Sequence, residues 1–233
     1  MGKDLPPKVE KRTLVSQAYS YLRDRIVTLS LKPGEKIDVR GLSQELSISP
    51  TPIREALQKL VEQGLVVAKP YVGYFVVELT PEDIRELFDL RKALECLALK
   101  YLLQQLDEKR LDEFSHKIVA IEEEMSKRDL SKERVIEKIR EFDTSFHLDF
   151  IIKGANNKWL NRLANGILDL IRLTTYLTIN PRAAQEEHKA ILEALYERDL
   201  PKAIARLEKH LERSLEEALG SMGGDSREKS SPW

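Results

Sequence analysis

Residues 42–65 read LSQELSISPTPIREALQKLVEQGL, and this stretch decides the fold of the N-terminal third. Leu42 and Leu46 form the apolar pair of a short helix running from Val39 to Leu46. Ser47-Ile48-Ser49 is a tight connection. Pro50 and Pro52 fit only the first turn of the next helix, where a missing N–H costs nothing. That helix turns Ile53, Ala56, Leu57 and Leu60 inward at 3.6-residue periodicity. It stops at Gly64, a C-terminal glycine signal.

Upstream, Val15, Ala18, Tyr19, Leu22, Ile26 and Leu29 share one helical face from Thr13 onward, and Pro33-Gly34 stops that helix. Residues 1–12 are polar, with Pro6-Pro7, and read as a flexible arm. Downstream, β-branched runs at Leu65 to Ala68 and Tyr74 to Leu79 flank Pro70-Tyr71-Val72-Gly73 and predict a β-hairpin. Two helices on a three-residue turn, then a hairpin, make residues 13–79 a winged helix-turn-helix. In that architecture the third helix enters the DNA major groove by its N-terminal end, where free N–H groups suit phosphate. Ser49, Thr51 and Arg54 lie at that end, and Arg–guanine is the commonest base-specific pair. Gly73 at the hairpin tip lets backbone approach the minor groove. The plainer readings are a surface pair of Arg54 with Glu55 or Glu62, and a capping role for Ser49.

The pattern changes at Thr80-Pro81-Glu82-Asp83, which sets an N-cap, a first-turn proline and acids at the positive end of a helix. From there to about residue 220 only helices are expected, roughly 81–105, 107–128, 132–153, 157–178, 181–198 and 200–219. They form an all-α bundle over 80–220, so the fold class is mainly α with one small β-hairpin. Residues 221–233, rich in Gly, Ser and charge, predict a disordered tail.

Four histidines occur in the chain. His116 lies off the apolar stripe Leu111, Phe114, Ile118, Ile121, Met125 and is expected on the surface. The other three point inward. Asp143 and His147 are four residues apart on one helix face, His188 sits one turn before Ile191 and Leu192, and His210 lies beside Leu211. Polar groups buried from three helices are costly unless they satisfy one another. They are either separate hydrogen-bonded core histidines or the ligands of one ion, and imidazoles with one carboxylate suit Zn²⁺, Ni²⁺ or Mn²⁺.

Composition bounds the rest. Residues 1–78 hold 12 Lys and Arg against 9 Asp and Glu, whereas the remainder holds 26 against 30. A mildly basic head on an acidic body suits a DNA-binding unit joined to something else. The lone Cys96 excludes an internal disulfide and reads as a small core hydrophobe. No apolar run approaches the ~18 residues of a membrane span, so a cytoplasmic protein without a membrane partner is expected.

Residues 31–37 (LKPGEKI), 42–49 (LSQELSIS), 51–57 (TPIREAL) and 60–65 (LVEQGL) resemble the GntR family of bacterial transcription regulators. The resemblance implies DNA contacts at Arg40, Ser49, Thr51, Arg54 and Gly73. Many members carry arginine where this chain has Pro50. From about Thr80 to Leu219 the chain is similar to the FCD effector domain of the FadR-type subgroup, whose first helix carries Arg-x-x-Leu-Glu, here Arg91 to Glu95. Many such domains hold a metal with an Asp-x-x-x-His pair and two later histidines, which implies Asp143, His147, His188 and His210 as ligands. The resemblance implies a DNA-binding regulator rather than an enzyme, with operator affinity set by a small effector at the metal. A small carboxylate suits the open coordination positions, and the Arg91 fork is the candidate second clamp. A salt bridge of Arg91 with Glu95 or Glu86 is its plainer reading. A metal-dependent hydrolase and a constitutive DNA binder with a structural metal are the alternatives. A homodimer on a palindromic double-stranded operator is expected, because one small winged domain covers few base pairs.

Overall fold

The computed structural model describes residues 13–126, 132–175 and 181–222. The expected arm at 1–12, the tail from 223 onward and the expected helix ends at 127–128 and 176–178 lie outside these residues. The chain divides into two compact units, residues 1–78 and 79–233.

In the first unit, α1 (Leu14–Val27), α2 (Val39–Glu45) and α3 (Pro50–Glu62) surround a small apolar core. Thr13 caps α1 by accepting the Ser16 N–H. The helix ends earlier than expected. Leu29 stands past its C-cap at φ 57, so the chain leaves the helix well before Pro33-Gly34. Ala18, Leu22 and Ile26 of α1 pack on Ile53, Ala56, Leu57 and Leu60 of α3, all essentially inaccessible. Truncating one of the large ones to alanine costs about 2–5 kcal/mol at such sites. The α3 terminus closes as its sequence requires. Gly64 adopts φ 78, with Leu65 N–H donating to the Leu60 carbonyl and Gly64 N–H to that of Val61.

The hairpin strands are β2 (Val66–Lys69) and β3 (Gly73–Val76), shorter than the runs that suggested them. The tip is Pro70-Tyr71-Val72, and Gly73 is already paired with Lys69. A third strand, β1 (Lys36–Ile37), pairs antiparallel with Phe75 and Tyr74. The sheet order is β1-β3-β2. Two residues give no readable alternation, so the sequence did not disclose β1.

The second unit is helical. α4 (Pro81–Gln105) opens on a full capping box between Thr80 and Asp83. α5 (Glu108–Ser126) and α6 (Lys132–Thr144) follow. The chain then widens into a π-helix, Ser145–Ile152, and a 3-10 turn, Lys153–Ala155. A single α-helix was expected here. α7 (Lys158–Thr175), α8 (Pro181–Tyr196) and α9 (Leu200–Met222) complete the bundle. α9 runs through Ser221 and Met222, which the sequence had placed in the tail, and Met222 packs on the cluster of Ile84, Phe88 and Ala218. α8 and α9 pack together across a turn in which Asp199 accepts the Lys202 N–H. α4 packs on α7, α9 and the π-helix. The core includes Leu99, Leu102, Phe114, Phe146, Phe150 and Leu207.

Candidate metal centre and DNA-reading surface

Asp143 ends α6, His147 stands on the π-helix, His188 on α8 and His210 on α9. One ligand atom from each lies within 4.8 Å of all the others. The three imidazoles are buried and Asp143 is partly so. π-turns concentrate at functional sites, and this one carries a ligand. Nε2 of His147 lies 3.0 Å from Nε2 of His210 and 3.3 Å from Nε2 of His188. Oδ1 of Asp143 is 3.6 Å from Nε2 of His147 and 3.4 Å from Nε2 of His188. An ion ~2.0–2.1 Å from each atom of a tetrahedral set spaces those atoms roughly 3.3 Å apart.

The outer nitrogens explain why the inner ones face each other. His147 Nδ1 lies 2.6 Å from Glu95 Oε2, and His210 Nδ1 lies 2.7 Å from Glu187 Oε2. A carboxylate accepts only, so each Nδ1 carries the hydrogen and each Nε2 keeps a lone pair. Two lone pairs at 3.0 Å repel unless a cation lies between them, which is the arrangement a metal site needs. The four residues therefore fit a divalent ion. Glu95 is fixed in turn by Arg91 Nε at 2.8 Å, with both side chains buried. Glu187 accepts from Arg213 Nε at 2.8 and 2.9 Å.

Charge states follow the same layout. Burial opposes the charge on Asp143, yet the adjacent His147 and His188 hold its carboxyl well below the usual range. Burial likewise opposes charge on Glu95, but His147 and Arg91 draw it down to about 2. Glu187 overcomes the same opposition through His210 and Arg213 and also falls to about 2. Burial pushes His188 down and His210 down to about 3, so both are neutral and ready to ligate. His147 is pulled down by burial and by Arg91, but Glu95 and Asp143 outweigh them and raise it. Phe146 stacks 4.4 Å from the His188 ring, and Phe142 lies 5.5 Å away, so one wall of the centre is apolar. Arg91 Nη2 and His188 Nδ1 are buried without a partner.

On the first unit, Ser49, Thr51 and Arg54 are exposed on the leading end of α3. Ser49 occupies the N-cap position, but its side chain makes no cap hydrogen bond. Arg40 is exposed in the first turn of α2, where its N–H is taken by Asp38. Gly73 sits at φ 132, and a Cβ there would stand 3.3 Å from Lys36 Cε.

Residues 14–76 match the model of the bacterial regulatory proteins of the gntR family, and residues 86–213 match the FCD domain. The chain belongs to the GntR family, in its FCD-bearing branch. A helix-turn-helix transcriptional regulator from an unstable DNA locus of Streptomyces ambofaciens is 30% identical over 203 residues, covering 86% of this chain and 83% of it. Among solved structures, Escherichia coli McbR/YncC superposes with a TM-score of 0.75 at 22% identity, over 90% of this chain and 99% of that one. The Zn²⁺-bound FCD domain of TM0439 superposes at 0.51 and 23% identity, over 62% of this chain and 97% of that one. Relatives of this GntR regulator are named as transcriptional regulators.

Sequence reasoning placed the four inward ligands on three helices but gave no role to Glu95 or Glu187. Glu95 is 52 residues from His147, and nothing in the sequence pairs them. A weak signal existed for Glu187, an acid beside His188 near the inward face of α8. His116 is exposed. Among the described residues no helix is long and apolar enough to cross a membrane.

Proposed function

We propose that this regulator binds a divalent transition metal through Asp143, His147, His188 and His210, and that a small carboxylate on that metal controls its affinity for DNA. The carrying observation is the convergence of the three Nε2 atoms and Oδ1, with carboxylates behind two of the three imidazoles. Zn²⁺ is the first candidate, since the FCD domain of TM0439 has been solved with Zn²⁺ bound. Ni²⁺ and Mn²⁺ suit the same donors. When bound, the ion supplies a positive centre with open coordination positions. Arg91 supplies the second clamp. Its Nε is held by Glu95, and its Nη2 is buried and unpartnered, a donor ready for a carboxylate oxygen.

Arg40, Ser49, Thr51, Arg54 and Gly73 form the DNA-reading set, with Arg54 as the base reader. The protein acts as a homodimer on a two-fold operator. Leu90, Leu97 and Tyr101 leave an exposed apolar stripe on α4, and Trp159 and Leu163 leave another on α7, which packs beside it. Such a patch on one unit suits a self-complementary interface. Light scattering at micromolar concentration is expected to give a dimer.

The test is elemental analysis of protein purified without an affinity tag, followed by operator gel shifts with chelator, with metal, and with metal plus acetate or citrate. The expected result is one equivalent of metal and a carboxylate response that needs the metal. Less than about a tenth of an equivalent, unrecoverable by reloading, overturns the reading.

A further inference from the structure

The hairpin tip is built against its own turn chemistry. Val72 N–H donates to the Lys69 carbonyl at 3.1 Å, closing a turn with Pro70 second and Tyr71 third. Tyr71 has φ 61. A proline followed by positive φ is the type II arrangement, whose third position calls for glycine, or asparagine as a substitute. A tyrosine there is strained, and nothing in the unit offsets the strain. Its relative exposure is 110%, so the ring rests on no part of the protein. Non-glycine residues held at positive φ mark sites where another requirement overrides the turn.

The surroundings say what that requirement is. From Leu65 to Val77 the chain carries no acidic residue, and its one charge is Lys69. Lys69 Nζ lies 4.5 Å over the Phe75 ring, which holds the amine beside the tip. Lys36, on the neighbouring strand, passes close to Gly73. Val67 and Val72 are exposed as well. A cationic hairpin ending in an exposed aromatic and two valines matches a narrow, polyanionic groove, where lysines meet phosphates and an apolar wedge lies between sugars and base edges.

We infer that Tyr71 is a DNA contact: its ring enters the minor groove at the wing, and Lys36 and Lys69 anchor it to the flanking phosphates. This rests on the first unit being a DNA reader. It adds an apolar, width-sensitive contact to the polar readout at α3. Narrow A·T-rich steps beside the half-site then become favoured without a base-specific hydrogen bond.

Tyr71→Gly separates this role from a structural one, because glycine relieves the turn while removing the ring. The full-length protein is first used to select a duplex from a random pool. Wild type and variant are then titrated on that duplex at fixed salt, footprinted with hydroxyl radicals, and melted. The expected result is about 10-fold weaker binding with minor-groove protection lost at the wing and a melting temperature that does not fall. Unchanged affinity, or equal loss of affinity and melting temperature, returns Tyr71 to a structural role. A change in oligomeric mass with affinity intact assigns the ring to a protein contact and overturns the proposal. If wild type selects no duplex, the DNA-reading assignment itself fails, and this inference with it.

Discussion

The two units handle their functional residues in opposite ways. In the first, the core is apolar and the candidate DNA-reading side chains Arg40, Ser49, Thr51 and Arg54 all stand on the surface. In the second, the candidate site is the core: His147, His188, His210, Glu95 and Arg91 are buried among phenylalanines and leucines. A surface site separates function from stability, because its side chains carry little packing. A buried polar site couples the two, because each group left without its partner costs about 1–3 kcal/mol. Recognition in the first unit and folding in the second should therefore respond differently to substitution.

The largest effect expected is at Arg54. Arg54→Ala removes a bidentate contact worth ~1–3 kcal/mol, counted twice in a dimer, and abolishes specific binding. It should leave the melting temperature unchanged. Unaltered affinity in a gel-shift titration at fixed salt removes the assignment, and a large drop in melting temperature breaks the contrast between the units.

The metal tests the other side. An ion at a thousandfold excess over its Kd contributes about 4 kcal/mol. Chelation should therefore lower the melting temperature by roughly 10 °C in a unit of this size. His188→Ala should blunt that response. A chelator that leaves the wild-type melting curve in place dissolves the coupling between site and fold.

These contrasts also decide what the sequence could disclose. Periodicity exposed the apolar faces of α1, α3 and α5, and it put Asp143, His147, His188 and His210 on inward faces, because burial leaves a local 3.6-residue signature. Proline and glycine marked both ends of α3. The parts that stayed hidden depend on distant partners. β1 exists through its pairing with Phe75 and Tyr74, nearly forty residues on. The π-helix occupies a segment whose apolar pattern, Phe146, Phe150, Ile151 and Ile152, serves an α-helix equally well. Arg91 and Glu95 are four apart on one helix, so a pair was readable; that Glu95 also reaches His147 was not.

A smaller effect sharpens the role of the carboxylates behind the imidazoles. Glu187→Gln keeps an acceptor near His210 Nδ1 but removes the charge, and partners of this kind tune metal affinity by about 10–100-fold. A zinc-competition titration should show a loss in that range with the fold intact. The same substitution at Glu95 should also destabilise the protein, because Glu95 neutralises the buried Arg91. Equal stability of the two variants refutes that distinction.

The smallest effect lies at the start of the helical unit. The Thr80 side chain accepts the Asp83 N–H at 3.1 Å, and an Asp83 oxygen accepts the Thr80 N–H at 2.7 Å. Both orphan donors are covered reciprocally. Thr80→Ala should cost ~1 kcal/mol, which for a unit of this size is roughly 2–4 °C. The cap belongs to the second unit, so calorimetry should show its transition moving while that of the first stays. The Thr80 hydroxyl and then its backbone N–H hold the exposed Asp83 carboxyl below its ordinary value of 3.8. A depressed folded value stabilises above the unfolded one and is lost as pH falls through the folded one. The penalty of Asp83→Asn should therefore be present at neutral pH, begin to shrink below 3.8, and close in stronger acid. A penalty that persists unchanged in acid means that the Asp83 charge adds nothing to the cap, and that shape and hydrogen bonding alone start α4.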